Sequence, residues 1–227
     1  MKTLLKLFFL MFLLTFSVSK SFAEFKNVYF SGKNYNISIP RGFCDISNTV
    51  IGKFLFQHIE ESQKNTNLKA TKLKLIIAHC NYNENNIYPW GYIGLLKKTK
   101  NFSQKTYNDV VSKLFDDKNL MNDLSELTSK AVNKTMNKYF SEKKNGVNTL
   151  QTPEVLYKDE YSIIYRAMNT GMFEDEIVNE VVVSSSSVLT DVIINTYLNN
   201  ELNKEPNSFS LAGVLIENSK LNFESNY

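Results

Sequence analysis

The chain predicts an α+β fold, an antiparallel sheet layered with amphipathic helices. Three observations carry this. Strand-like runs follow one another through short turns early and late in the chain. Helical periodicity is inserted between those groups. A last amphipathic segment closes the sequence.

The elements follow in order. Asn27 to Ile39 reads as an early β-hairpin, with Ser31-Gly32-Lys33-Asn34 as its turn and Tyr35, Ile37 and Ile39 alternating with polar residues. Pro40-Arg41-Gly42 ends the second strand. Ser47 is the expected N-cap of a helix running to Gln63, with Ile51, Phe54, Leu55 and Ile59 on its apolar face. Lys72 to His79 reads as a strand; its unbroken Leu75-Ile76-Ile77-Ala78 places it inside the sheet. A polar loop, Asn81 to Asn86, leads to a second middle strand from Ile87 to Leu96. Ser103 to Lys118 and Leu120 to Tyr139 are helical by pattern. The first should bury Val110, Val111, Leu114 and Phe115, and the second Leu124, Leu127, Ala131 and Met136. Lys143-Lys144-Asn145-Gly146 breaks the second helix. Glu160–Met168, Ile177–Ser186 and Asp191–Leu198 predict a three-strand meander, turned at Asn169-Thr170-Gly171 and at Leu189-Thr190. Ser208 to Glu224 closes the chain as a helix through Leu211, Val214, Leu215, Asn218 and Leu221.

In this order of elements, and in the strand ending Ile39-Pro40-Arg41-Gly42-Phe43, the chain loosely resembles the sheet-and-helix sandwich of PsbP/Mog1-like proteins. The resemblance implies an architecture and carries no activity, cofactor or site.

Residues 1–23 read as a secretory signal peptide. Lys2 and Lys6 supply the positive start, Leu7 to Val18 the apolar run, and Ser21-Phe22-Ala23 the small-residue cleavage site. The run is too short for a spanning helix, which needs about 20 apolar residues. The expectation is cleavage after Ala23, an exported product in the periplasm or the medium, and no membrane attachment afterwards. Residues 24–227 then form one globular domain, since no repeat or Pro-, Gly- or Ser-rich linker divides them. Cleavage removes Lys2, Lys6 and Lys20 and no acid, so the formal net charge falls from +3 to zero. With Arg41 and Arg166 as the only arginines, and lysines scattered among acids and asparagines, nucleic acid is excluded as a partner. The abundant asparagines form no tract and read as compositional bias. Asn36-Ile37-Ser38, Asn101-Phe102-Ser103 and Asn133-Lys134-Thr135 match the glycosylation sequon, as chance allows in such a chain.

Cys44 and Cys80 are the only cysteines. In an oxidising compartment, the simplest pairing is with each other. Such a bridge ties the start of the first helical unit to the end of the strand that follows it. Two alternatives use the same residues. Either thiol could be a nucleophile with His58 or His79 as its base, although no hydrolase signature surrounds them. The two Cys and two His make a nominal zinc set, but His79 and Cys80 are adjacent on a strand and face opposite sides. His58, among Ile51, Phe54, Leu55 and Ile59, reads as a boundary histidine bonded to backbone.

No phosphate loop, nucleophile elbow, zincin or EF-hand pattern occurs. No cofactor and no metal are expected. Asp116-Asp117 and Glu174-Asp175-Glu176 read as solvated charge at helix ends and turns. The candidate ligand-binding group is the aromatic cluster Tyr88, Trp90 and Tyr92, with Tyr82 and the amides of Asn83 to Asn86 nearby. Such groups can stack on a glycan or peptide and hydrogen-bond its edges; packing on the sheet is the competing role. The function expected is a non-catalytic binding or accessory protein with an envelope protein or glycan as partner. The alternative is a secreted hydrolase using Cys or Ser with His58 or His79.

Overall fold

The structure, a computed structural model, describes residues 23–65, 71–83, 86–139, 146–150, 153–173 and 176–227. The expected leader, up to residue 22, lies outside them. In chain order the elements are β1 (Phe25–Phe30), β2 (Lys33–Ser38), β3 (Phe43–Asp45), α1 (Val50–Asn65), β4 (Lys72–His79), β5 (Trp90–Lys97), α2 (Gln104–Asp116), α3 (Lys118–Tyr139), β6 (Gly146–Leu150), β7 (Glu154–Lys158), β8 (Ile163–Phe173), β9 (Glu176–Val188), β10 (Val192–Glu201) and α4 (Ser208–Glu224). The fold is α+β. β1 and β2 pair as a two-stranded hairpin; the others form an eight-stranded antiparallel sheet in the order β3-β4-β5-β10-β9-β8-β6, with β7 also paired to β8.

The early hairpin closes through two residues of positive φ, Ser31 at 52° and Gly32 at 89°, so Phe30 pairs directly with Lys33. That backbone hand suits the right-handed twist of the flanking strands. The hairpin lies across one face of the large sheet together with α4. Between them Tyr35, Ile37, Leu75, Ile77, Ile93, Leu95, Val183, Ile194, Leu198, Leu211 and Leu215 form the main core. Each fully buried aliphatic side chain here contributes about 1.5–3 kcal/mol.

The outer edge of β2 is covered by amides rather than by another strand. Asn218 Nδ2 donates to Ser38 O (2.8 Å), Ser38 N donates to Asn222 Oδ1 (2.7 Å), and Asn226 Nδ2 donates to Asn36 O (2.8 Å). Spaced four apart on α4 and its end, these three side chains satisfy the edge as a neighbouring strand would. Some of the asparagine content therefore has a structural job.

The opposite face carries α1, α2 and α3. α1 rests on β4, α3 rests on β6 and packs on α1, and α2 seats on β7 and β9. A smaller core of Ile46, Leu73, Ile76 and Ala78, with Ile51, Leu55, Phe56 and Ile59 of α1, fills only the β4 side.

Several expectations shift. Thr49, not Ser47, caps α1: its Oγ1 accepts from Gly52 N at 3.0 Å. Ser47 instead accepts from Ile76 N at 2.9 Å, tying the segment to β4. Phe54 is exposed and Phe56 takes the inner position, because the helix turns its 51, 55, 56, 59 face inward. In α2, Val110 is exposed while Val111 is buried with Gln104 and Asn108, since polar anchoring sets the helix rotation. In α3, Met121 and Ala131 are buried and Leu127 is exposed; the side chain of Met136 is outside the described residues. The pairing of β8 with β9 runs through Asn169, Thr170 and Gly171 to Phe173↔Glu176, so the turn falls later than expected. Thr170 and Asn179 bond across the ladder at 2.9 Å, which lets turn-type residues extend a strand. Glu174 and Asp175 are not among the described residues. β6 and β7 were not expected at all. Asp116 and Asp117 do end α2.

Candidate functional site

The two cysteines form a disulfide with their Cα atoms 5.0 Å apart. β3 has only three residues, and its pairing Phe43↔His79 and Cys44↔Ala78 puts Cys44 beside the residue that follows β4. Cys80 N donates to Gly42 O at 2.9 Å, completing the register. Both thiols are consumed by the bridge.

Strand alternation assembles the more interesting region. Trp90 and Tyr92, two apart on β5, share the face that looks toward α1–α3. Cross-strand register then aligns whole rows on that face. One row runs Ala78, Trp90, Asn199, Val182, Ala167; the next Ile76, Tyr92, Tyr197, Ser184, Tyr165; the next Gly94, Asn195, Ser186, Ile163. At the end nearest Trp90 stands Glu201, Glu180, Asn169. The middle of the sheet here is tyrosine, serine and asparagine instead of packed aliphatics.

Tyr92 stacks on Tyr197 with ring centroids 4.4 Å apart and planes at 21°. Phe115 of α2 meets Tyr165 edge-on at 5.1 Å. The phenols of Tyr107, Tyr165 and Tyr197 lie close together, with Ser186 and Thr71 beside them. Ser186 Oγ donates to Asn195 Oδ1 at 2.7 Å, and Asn195 Nδ2 donates to Thr71 Oγ1 at 2.9 Å. Burial pushes the phenols of Tyr92, Tyr165 and Tyr197 up, so all remain neutral donors at physiological pH. Each is surrounded by protein on most sides yet keeps part of its surface accessible. Partly accessible rings among small polar residues make this stretch of the sheet a candidate recess.

Gln104 fixes the α2 wall. Its Nε2 donates to Asn108 Oδ1 (2.7 Å) and Ser186 O (3.2 Å), and its Oε1 accepts from Val188 N (2.6 Å). Asn108 Nδ2 in turn donates to Asp159 O at 2.8 Å.

At the far end, a cis peptide between Tyr88 and Pro89 leads into β5. The Trp90 indole lies beside the Tyr88 phenol, and that phenol donates to Glu180. Burial, with the Glu201 carboxylate adding to it and Tyr88 opposing, holds the Glu180 carboxyl above the ordinary carboxylate range. Asn199, 7% exposed, has its Nδ2 without a partner among the described residues.

The sequence-derived residues separate into two groups. Tyr88, Trp90 and Tyr92 all border this recess, with Tyr82 in the small core beneath α1. His79 pairs with Phe43 on the other face and meets its ring edge-on at 6.4 Å. His58 lies on α1 with Nδ1 on its own helix carbonyl, Phe54 O, at 2.9 Å, and stacks on the Phe54 ring. His79 therefore does not converge with the aromatic residues. Tyr107, Tyr165, Glu180, Tyr197 and Asn199 were not singled out from sequence. The available signal was Val181-Val182-Val183 turning into Ser184–Ser187 within a strand, where an inward-facing row loses its apolar side chains.

No protein-family model matches the chain, and a comparison with curated proteins finds no match. Among the described residues no helix is long and apolar enough to cross a membrane, and no group of three or more His, Cys, Asp or Glu is placed to hold a metal ion. The disulfide suits an oxidising compartment.

Proposed function

We propose that the chain is an exported, non-catalytic binding or accessory protein of the cell envelope or extracellular space, which holds a small ligand in the tyrosine-lined recess. One observation carries the reading: accessible phenols and small polar residues occupy the centre of a sheet face where folding alone favours aliphatic packing. Recessed aromatic rings with hydroxyls and amides between them suit a ligand having both a flat apolar face and polar edges.

Trp90 is the sole tryptophan, so its fluorescence reports directly on the recess. A screen of envelope sugars and short peptides against the mature protein should find a compound that changes Trp90 emission. Tyr197→Ala should weaken it at least about tenfold, as for a central aromatic anchor. Undiminished binding by a folded Tyr197→Ala protein would move the site elsewhere. The hydrolase alternative loses its thiol nucleophile to the bridge; stoichiometric labelling by a serine-hydrolase probe, lost in His58→Ala, would restore it.

A further inference from the structure

We infer that the acidic end of the recess, formed by Glu180, Glu201, Tyr88 and Trp90, receives the protonated amine of a hydroxyl-bearing ligand, of which an amino sugar is the simplest type. This rests on the reading of the recess as a ligand seat and names the chemistry of what it takes.

Glu180 and Glu201 are register partners on β9 and β10, so their side chains leave the sheet side by side on the recess face. Like charges directly opposite each other on neighbouring strands repel. Among the described residues no cation answers Glu180, whose polar partner is the Tyr88 phenol. Glu201 has Lys204 at 4.0 Å, with that lysine side chain 68% exposed, so this contact is a loose one on the rim. A ligand ammonium between the carboxylates would supply the missing positive charge, and burial would make that pairing stronger than it is in water.

Asn199 makes the second, independent point. It stands beside Trp90 in register and two residues before Glu201 on the same face. A buried amide N–H without an acceptor among the described residues is costly, and an oxygen that reached it as the ligand seats would relieve that cost. The ring of Trp90 offers the apolar surface on which a sugar or an ammonium can rest. The rows that build this face contain no Lys, Arg or His, which disfavours an anionic ligand.

The test is a Trp90 fluorescence titration, repeated by calorimetry, of the mature protein with glucosamine and with N-acetylglucosamine at neutral pH. The two share a ring and differ at the amine. Glucosamine should bind at least tenfold more tightly. Glu180→Gln, which keeps the shape and an acceptor for Tyr88, should bring the ratio close to one; Glu201→Gln, nearer the rim, should lower it less. Equal binding of both sugars, lost in Tyr197→Ala, would overturn the amine and leave the recess as a seat. An undiminished preference in a folded Glu180→Gln protein, or no binding of glucosamine, would also overturn the inference.

Discussion

Gln104 shows how one polar side chain can set a wall of the site. Its amide spans the α2 stripe, Ser186 O and Val188 N, and it is buried. Replacing it with leucine keeps the volume and strands a buried N–H and a carbonyl. Urea unfolding of Gln104→Leu should show a loss of about 2–4 kcal/mol, counting roughly 1–3 for each orphaned group with partial relief by water. Glu180 gives a prediction with a sign. Its folded-state pKa is raised, first by burial. The neutral form is thus favoured by folding. Its contribution to stability is full below the unfolded pKa and is lost as pH rises through the folded value. Glu180→Gln should therefore match the wild type at about pH 4 and exceed it in stability at about pH 8. Paired urea melts check this; a variant less stable at the higher pH would contradict the burial argument.

Elements differ in how much of themselves was written locally. α4 was legible because its inward positions recur at helical spacing, and the structure adds Asn207 as its cap. β4, β5, β9 and β10 were legible from their apolar or alternating runs. β6 and β7 were not, since Gly146–Leu150 and Glu154–Lys158 are short, mostly polar strands whose partner β8 lies downstream and supplies their hydrogen bonds. Two elements are held by features that substitution can reach. β5 approaches β10 so closely that a Cβ on Gly91 would sit 1.9 Å from Tyr197 O. Gly91→Ala should cost about 1–3 kcal/mol by forcing the strands apart. It should also perturb Trp90 emission, because the glycine separates Trp90 from Tyr92. β3, at three residues, depends on its bridge. The closed loop spans 36 positions, so reduction or a Cys44→Ala/Cys80→Ala pair should lower stability by about 3–4 kcal/mol on the chain-entropy account. A loss well under that in denaturant melts would mean that the pairing with β4 holds β3 without the bridge.

For the whole molecule, two faces of one sheet have been given different work. The α4 and hairpin face is a conventional aliphatic core, where Ile194→Ala should cost about 2–5 kcal/mol as a buried truncation. The α1–α3 face is packed on the β4 side and polar at its centre, and that contrast is what the proposed ligand seat rests on. Export belongs to this scale too. If the leader is read correctly, the N-terminus of the protein recovered outside the cytosol is Glu24, and its non-reduced mass is two hydrogens below the dithiol. Protein found intact in the cytosol with Met1 in place and both thiols free would remove the compartment from the proposal.

By itself the sequence determined the α+β class, most strand and helix positions and the cysteine pair. All of these depend on local periodicity or on counting, as with the alternation that places Trp90 and Tyr92 together. Tertiary structure decided which residues face them. Tyr165 and Tyr197 are 32 positions apart and meet because β8, β9 and β10 align in one register. Glu180 becomes a candidate ligand group because that register sets it beside Glu201. Such neighbours come from long-range hydrogen-bonded pairing, and no window of the chain holds both partners.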